Sequence, residues 1–450
     1  MDQEFRGFNR RQFIGAATAA GVLAFACSSK GKSVDYKLTS LLPKAPDGAE
    51  IRAGVIGCGG RGSGAVMDFL SAGNNLKVIA LADAFKDRVQ SLKDRLKKEK
   101  NIEIPEEYCF VGLDAYRKLL EIKEINYVII ATPPYFRPYQ FEAAINARKH
   151  VFMEKPVAVD PVGARSIMAT SKKAESLGLS VVTGTQRRHQ HHYVALYKKL
   201  MSGAIGDIIS ANVYWNGGQL WYRTREKGWS DLEWMLRDWV NWTWLSGDHI
   251  VEQHVHNIDV AYWFFGKHPV KALGFGSRQR RITGDQFDNF SVDYTFDDGR
   301  HMHSTCRQIN GCTNNVSEYF SGTKGFANST SNQSPKETYL LDRNGKVIWT
   351  YNDAVKSEGM PAEPISPYIQ EHVDLIWAIR TGNQIVEAEN TAISTMVAIM
   401  GRLSAYSGKL VTWDEVMNSN LQIGPKPEEL EFTKKYEMVV KPVIPVVGQA

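Results

Sequence analysis

The sequence predicts an α/β chain in two parts: a doubly wound parallel sheet, then an α+β domain with an open, mainly antiparallel sheet. Three observations carry this. A glycine-rich turn, Gly57-Cys58-Gly59-Gly60-Arg61-Gly62, joins a short apolar run, Ala53 to Ile56, to a helix-compatible segment, Ser63 to Ala72. From Ile51 to about Val182, continuous apolar runs alternate with helical patterns, the rhythm of a parallel sheet buried on both faces. After about Gly206 that rhythm gives way to runs linked by hairpin turns.

At 450 residues the chain exceeds what one core fills. Residues 1–27 read as an export signal, 28–50 as a linker, 51–185 as a nucleotide domain, 186–420 as a substrate domain and 421–450 as an extended tail. Arg10-Arg11-Gln12-Phe13-Ile14 followed by an uncharged stretch to Ala26 resembles a twin-arginine signal, too short to span a bilayer. Leu23 to Ser29 reads as a loose lipoprotein box with Cys27 as the lipid anchor, although Ala24-Phe25-Ala26 also fits simple cleavage. Either exit places the protein in the periplasm. A net charge of +5 without any basic block interleaved with aromatics argues against nucleic acid.

Taken in order, the glycine turn is the Rossmann fingerprint for a pyrophosphate at a helix N-terminus. A second strand, Leu76 to Ala82, ends in Asp83, near the spacing at which a carboxylate binds the ribose hydroxyls of NAD and repels a 2′-phosphate. Gly57, Cys58, Gly59, Gly60, Arg61 and Gly62 should line the pyrophosphate, with Cys58 as a small filler. Tyr127–Ala131, His150–Met153 and Ser180–Thr183 read as further strands; Tyr116–Ile122, Pro138–Arg148 and Pro161–Leu177 read as helices between and around them. Beyond these come strands Ile208–Trp215, Val270–Arg278, Phe290–Phe296 and His301–Gln308, and a hairpin from Thr338–Leu341 to Val347–Tyr351. A helix over Ile250–Phe265 precedes most of them. Ile369–Thr381 and Glu389–Ser407 are late helices returning to the first domain. The tail cannot build its own core and should lie across a neighbouring surface. Cys306 and Cys312 could pair, but their spacing does not demand it.

Several motifs in this order resemble the Gfo/Idh/MocA oxidoreductases over nearly all of residues 51–420. Glu154-Lys155-Pro156 is similar to that family's EKP signature, and Ala131-Thr132-Pro133-Pro134 to its cofactor-contacting turn. Gly184 to His189 follows the last strand of the nucleotide domain. Trp244 to Asp259 resembles the segment carrying an acid and a histidine four residues apart, here Glu252 and His256, with Glu where sugar-alcohol dehydrogenases have Asp. Ala405 to Glu415 is similar to a closing motif of exported and glycoside-acting members.

The resemblance implies roles. Lys155 is the cation that favours a developing alkoxide and shuttles its proton; His256 is the base. On one continuous helix Glu252 would share a face with His256 and orient its ring. Thr132, Pro133, Glu154, Lys155 and Gln186 are implied cofactor contacts. Arg187, Arg237, Trp239 and His256 are the expected substrate contacts, with Arg237 open to a cofactor role as well. Trp215, Trp221, Tyr222, Trp229, Trp234, Trp239, Trp242 and Trp244 form an aromatic crowd suited to sugar faces, though most singly would pack a junction. The histidines at 189, 191, 192, 301 and 303 lack a carboxylate at fixed ligand spacing, so no metal is expected.

Together these imply an NAD-dependent oxidoreductase that oxidises a ring hydroxyl, at C3, of a sugar or glycoside, with the cofactor held and reset in place. An NAD-using glycosidase of family 109 type is the alternative; there a 3-keto sugar acidifies the C2 proton and permits elimination. A non-catalytic sugar-binding lipoprotein is the third. An open sheet face that needs covering predicts a homo-oligomer.

Overall fold

The computed structural model describes residues 41–330 and 337–448. The expected export signal, Cys27 and the expected linker as far as residue 40 lie outside the described residues.

The first sheet is built from β1 (Ile51–Ile56), β2 (Leu76–Asp83), β3 (Cys109–Val111), β4 (Tyr127–Ile130), β5 (His150–Met153) and β6 (Val181–Thr183). Their order is β3-β2-β1-β4-β5-β6, and every pairing is parallel. The helices are α1 (Gly60–Ser71), α2 (Lys86–Lys100), α3 (Ala115–Leu120), α4 (Arg137–Asn146) and α5 (Pro161–Ser176). Strand order reverses between β1 and β4, which opens the crevice where ligands of such sheets bind. Apolar clusters cover both faces: one joins Val55 and Phe69 to Leu92, the other joins Ile130 to Phe141 and Ile167. The sequence reading omitted α2 and β3. Helix α2 buries only Val89, Leu92 and Leu96 in an otherwise charged segment, so its apolar stripe is one residue wide.

The second domain begins with α6 (His191–Met201), β7 (Ile208–Gly217), α7 (Asp231–Arg237), α8 (His249–Glu252) and α9 (Val255–Phe265). Strands β8 (Lys271–Ser277), β9 (Asn289–Thr295), β10 (His301–Gln308), β11 (Asn315–Gly322), β12 (Gly325–Thr330), β13 (Tyr339–Asp342) and β14 (Val347–Thr350) follow. They precede α10 (Pro367–Thr381), α11 (Ala388–Ser407), β15 (Val411–Thr412) and α12 (Trp413–Asn418). The sheet order is β14-β13-β12-β11-β7-β10-β9-β8-β15. Only β7 and β10 pair in parallel, which makes this mainly antiparallel sheet mixed. The sequence reading also missed β11 and β12. Both are rich in Ser, Asn and Gly, and β11 buries a carboxylate, Glu318, where an apolar residue would have signalled a strand.

One expectation is corrected here. Ile250–Phe265 is not a single helix: α8 ends at Glu252 and α9 restarts at Val255. Glu252 and His256 therefore do not share one helical face.

The late helices return to the first domain. Helix α10 packs on α1 and the β5–β6 edge; α11 lies between α5 and strands β8 and β9. Val373 and Ile376 join one apolar cluster of the first sheet, and Ala388 and Ala392 join the other. In the tail, Leu430 and Tyr436 are buried against Tyr135, Leu232 and Trp244. All four described cysteines are free, so Cys306 and Cys312 do not pair. Among the described residues no helix is long and apolar enough to cross a membrane.

Helix α11 approaches β9 closely at Gly401, where a Cβ would collide with the hydroxyl of buried Tyr294. That hydroxyl donates to the Val397 carbonyl at 3.1 Å. Gly401→Ala is expected to lower stability by about 1–3 kcal/mol, the usual cost of overpacking. Denaturant unfolding measures it; an unchanged midpoint would show that the two elements slide apart freely.

Candidate active site

The glycine turn is pressed onto the end of β4. Gly57 has φ +96°, and a Cβ there would lie 2.8 Å from the Ala131 and Thr132 backbone. A Cβ on Gly62 would collide with the Gly57 carbonyl. Gly59 and Gly60 instead face open space. Gly59 caps α1 without a side-chain acceptor, so the first amides of the helix have no side-chain cap and suit an anion. Asp83 accepts from the Cys58 amide at 2.7 Å and the Phe85 amide at 2.9 Å. Burial raises its pKa, and those two amides oppose the rise. The Cys58 thiol is buried and pushed well up by desolvation, which fits an inert filler.

A cavity of about 440 Å³ opens over this turn, walled on the sheet side by Gly57, Arg61, Asp83, Thr132 and Pro133 among others. Its opposite wall comes from the second domain: Trp221, Arg223, Leu236, Arg237 and Trp239. Trp239, expected at the substrate, and Arg237, expected at the substrate or the cofactor, both stand on the wall of this cavity. Arg237 is engaged with Asp87 at 3.0 Å and Glu233 at 2.9 Å. The aromatic crowd divides likewise. Trp242 and Trp244 are buried in the core beneath the tail, and Trp215 alone of the group stacks on His256.

Lys155, two residues after β5, donates from Nζ to the Glu252 carbonyl at 2.5 Å and to its carboxylate at 3.1 Å. Glu252 thus fixes the lysine rather than the imidazole, because the break between α8 and α9 turns the two side chains apart. Gln253 donates to the other carboxylate oxygen of Glu252. The His256 ring lies 5.6 Å from the Trp215 ring at 20°, and its Nδ1 has no partner among the described residues. Burial, then the charges of Lys155, Arg187 and His254, hold its pKa well below the usual value. His256 is therefore neutral, and its surroundings disfavour the protonated ring.

Arg187, also expected at the substrate, is buried behind Trp215. It donates to Glu318, which also takes the Tyr193 hydroxyl at 2.8 Å and the Asn257 amide at 2.7 Å. Its guanidinium lies 5.7 Å from the Trp215 ring centre, so it braces that ring. Thr132 donates to Gln140 at 2.5 Å. Gln186 Oε1 is buried without a partner among the described residues, an acceptor suited to a carboxamide donor. The sequence did not disclose the reach of Arg61. Its side chain crosses the crevice to Glu154 at 2.5 Å and Asp68 at 3.2 Å, beneath Tyr368. Free-facing glycines, uncapped amides and Asp83 together fit a dinucleotide. Among the described residues, no group of three His, Cys, Asp or Glu could hold a metal ion.

Comparison with known proteins agrees. A family model described as oxidoreductase family, NAD-binding Rossmann fold, matches residues 51–183, and a GFO/IDH/MocA C-terminal domain model matches residues 193–328. A glycosyl hydrolase family 109 protein of Solibacter usitatus is 30% identical over 150 residues, 33% of each chain. The chain spans a third to a half of the length of the curated relatives it matches. Among solved structures, scyllo-inositol dehydrogenase from Lactobacillus casei with bound NAD(H) and scyllo-inositol superposes with TM-score 0.60 at 20% identity, covering 81% of this chain and 99% of that one. Aldose-aldose oxidoreductase from Caulobacter crescentus superposes with TM-score 0.62 at 17% identity, covering 81% and 99%. These likenesses show the fold.

The neutral imidazole has a pH signature. The folded pKa of His256 lies below its ordinary 6.5, so the unfolded chain binds a proton that the folded protein refuses. Its contribution to stability is present above about pH 6.5 and is lost as pH falls toward the folded value. The stability difference between wild type and His256→Asn should shrink below that point by about 1.4 kcal/mol per pH unit. NMR of the ring should show it neutral between about pH 6 and 8. A ring that titrates near its ordinary value refutes the desolvated acceptor.

Proposed function

The chain belongs to the GFO/IDH/MocA oxidoreductase family and carries its NAD-binding Rossmann domain, and from that footing we propose that it oxidises a ring hydroxyl of a sugar or glycoside, at C3. The observation that carries this reading is the pairing of Lys155 with Glu252 beside a neutral, desolvated His256 stacked on Trp215. When bound, NAD supplies the hydride acceptor. The chain's own residues do the rest. Lys155 Nζ, fixed by the Glu252 carboxylate, places positive charge where the hydroxyl oxygen becomes an alkoxide. His256 takes the hydroxyl proton. Trp215 holds the His256 ring by stacking, and the Arg187 guanidinium lies over the same indole, so the two fix the imidazole in place. C3 is chosen because a carbonyl there leaves the glycosidic bond intact yet acidifies the C2 proton. One oxidation then serves both net dehydrogenation and the glycosidase route.

The family 109 relatives favour that second reading, in which elimination, addition of water and reduction follow oxidation. The stretch from Glu252 to Asp259 departs from that branch's histidine neighbourhood, which ranks it second. The twin-arginine motif supports export with the cofactor already inside, since that route carries folded proteins. The Lys155–Glu252 pair counts against a purely sugar-binding role.

Purified protein incubated with a p-nitrophenyl glycoside, alone and with a 3-keto sugar acceptor, separates the readings. Acceptor-dependent formation of a 3-keto glycoside with its aglycone in place is the expected result. Aglycone release without acceptor would establish the glycosidase. Lys155→Ala is expected to lower turnover by roughly 10²–10⁴-fold while the nucleotide stays bound. Undiminished turnover in that variant removes lysine from the chemistry.

A further inference from the structure

We propose that the segment ending in α7 and the C-terminal tail form a strap that keeps the dinucleotide from exchanging between turnovers. The inference rests on the reading that NAD lies over the glycine turn. Trp221, Arg223, Leu236, Arg237 and Trp239 of the second domain line the wall opposite that turn, so a nucleotide in the cavity has protein on both sides. Arg237 bolts this wall across the mouth. It donates to both Asp87 oxygens at 3.0 and 3.1 Å, and its guanidinium lies 4.1 Å from the Phe85 ring centre. Phe85 and Asp87 directly follow Asp83, the ribose-side acid, so the bolt closes at the adenosine end.

Asp87 is exposed, and an exposed ion pair alone holds little. The tail supplies the rest. Phe432 packs on Phe85 with ring centres 6.0 Å apart, while Leu430 and Tyr436 are buried against Leu232, Met235 and Leu236 of α7. The Tyr436 amide donates at 3.0 Å to Asp231, the first residue of α7, and the Ile423 amide donates at 2.9 Å to Asp160 of the first domain. The tail thus ties α7 down on the nucleotide domain. Its described residues back the cavity walls without lining the cavity. Opening the wall requires the tail to peel off and expose that apolar contact, so release is slow even where nucleotide contacts are ordinary.

The test loads the full chain with NAD, adds isotope-labelled NAD and follows replacement of the bound molecule by mass spectrometry. Wild type should exchange more slowly than it turns over. Arg237→Ala and the double variant Phe432→Ala/Tyr436→Ala should each exchange about tenfold faster or more. The double variant is decisive, because neither side chain touches the nucleotide cavity. Circular dichroism checks folding; should the double variant fail to fold, Phe432→Leu on the full chain replaces it. Equal exchange rates in wild type and folded tail variants overturn the strap while leaving the NAD reading intact. A wild type that neither carries nor binds NAD overturns the reading underneath it.

Discussion

Arg402 sets the geometry on which the site depends. From the middle of α11, with its side chain fully buried, it donates from Nη1 to the Val159 carbonyl at 2.9 Å and to the Gly247 carbonyl at 2.8 Å. Val159 lies four residues after Lys155, and Gly247 lies five before Glu252. The guanidinium therefore fixes the separation of the two loops whose side chains meet as the lysine–carboxylate pair. Burial lowers its pKa, offset in part by Tyr406 and three nearby acids, Asp248, Asp160 and Asp285. A charge kept in the interior at that cost does little for stability. Its return is position. Asp248 repeats the theme one residue beyond Gly247. It holds φ +71°, rare for a residue with a side chain, while accepting from the Phe287 amide at 3.0 Å, the His249 amide at 2.5 Å and the Tyr406 hydroxyl.

A second layer of buried charge locks the two domains in register. Three consecutive basic residues after β6 each find an acid on a different later element. Arg187 meets Glu318 of β11. Arg188 makes a two-pronged contact with Asp259 of α9, both arms 2.7 Å, and Ser394 of α11 donates to the same carboxylate at 2.5 Å. His189 meets Asp374 of α10 at 2.6 Å and Glu387, just before α11, at 3.1 Å. Burial would keep that imidazole neutral, but Glu387 and Asp374 outweigh it and raise its pKa well above the ordinary value. Removing one partner from such a pair leaves an uncompensated interior charge, a cost of about 3–5 kcal/mol. These pairs explain why one short turn can anchor four elements distant in sequence.

Much of this was legible in the sequence, because local chemistry fixes it. The glycine turn needs Gly57 and Gly62 for steric reasons, and Asp83 follows at the end of the neighbouring strand, so spacing alone revealed them. Continuous apolar runs gave β1, β2, β4 and β5 to within a residue or two. What escaped was decided by partners far along the chain. The polar strand β11 owes its buried Glu318 to Arg187. The break after Glu252 has no proline or glycine to announce it; it arises where Lys155, 97 residues earlier, takes both the carbonyl and the carboxylate of Glu252. For Arg237 the sequence left cofactor and substrate both open and put Trp239 at the substrate; only the placement of α7 beneath the tail shows that both line the cavity over the glycine turn.

The same packing bears on how the redox cycle must close. On the retention proposed above, a hydride removed from one sugar has no route to a free nicotinamide in the surroundings, since the nucleotide stays behind its wall. It must return to carbon within the site, either to the same sugar after its bonds have been rearranged or to a second sugar that arrives as a ketone. The site is built to serve both directions alike. On the proposed chemistry, the Lys155 charge would favour an alkoxide whether its carbon is losing or regaining hydride. A cofactor that left with its hydride would leave net oxidation behind. On the proposed retention, the clamped wall prevents that loss, so the fate of the sugar is decided by what happens to the keto form while it is bound.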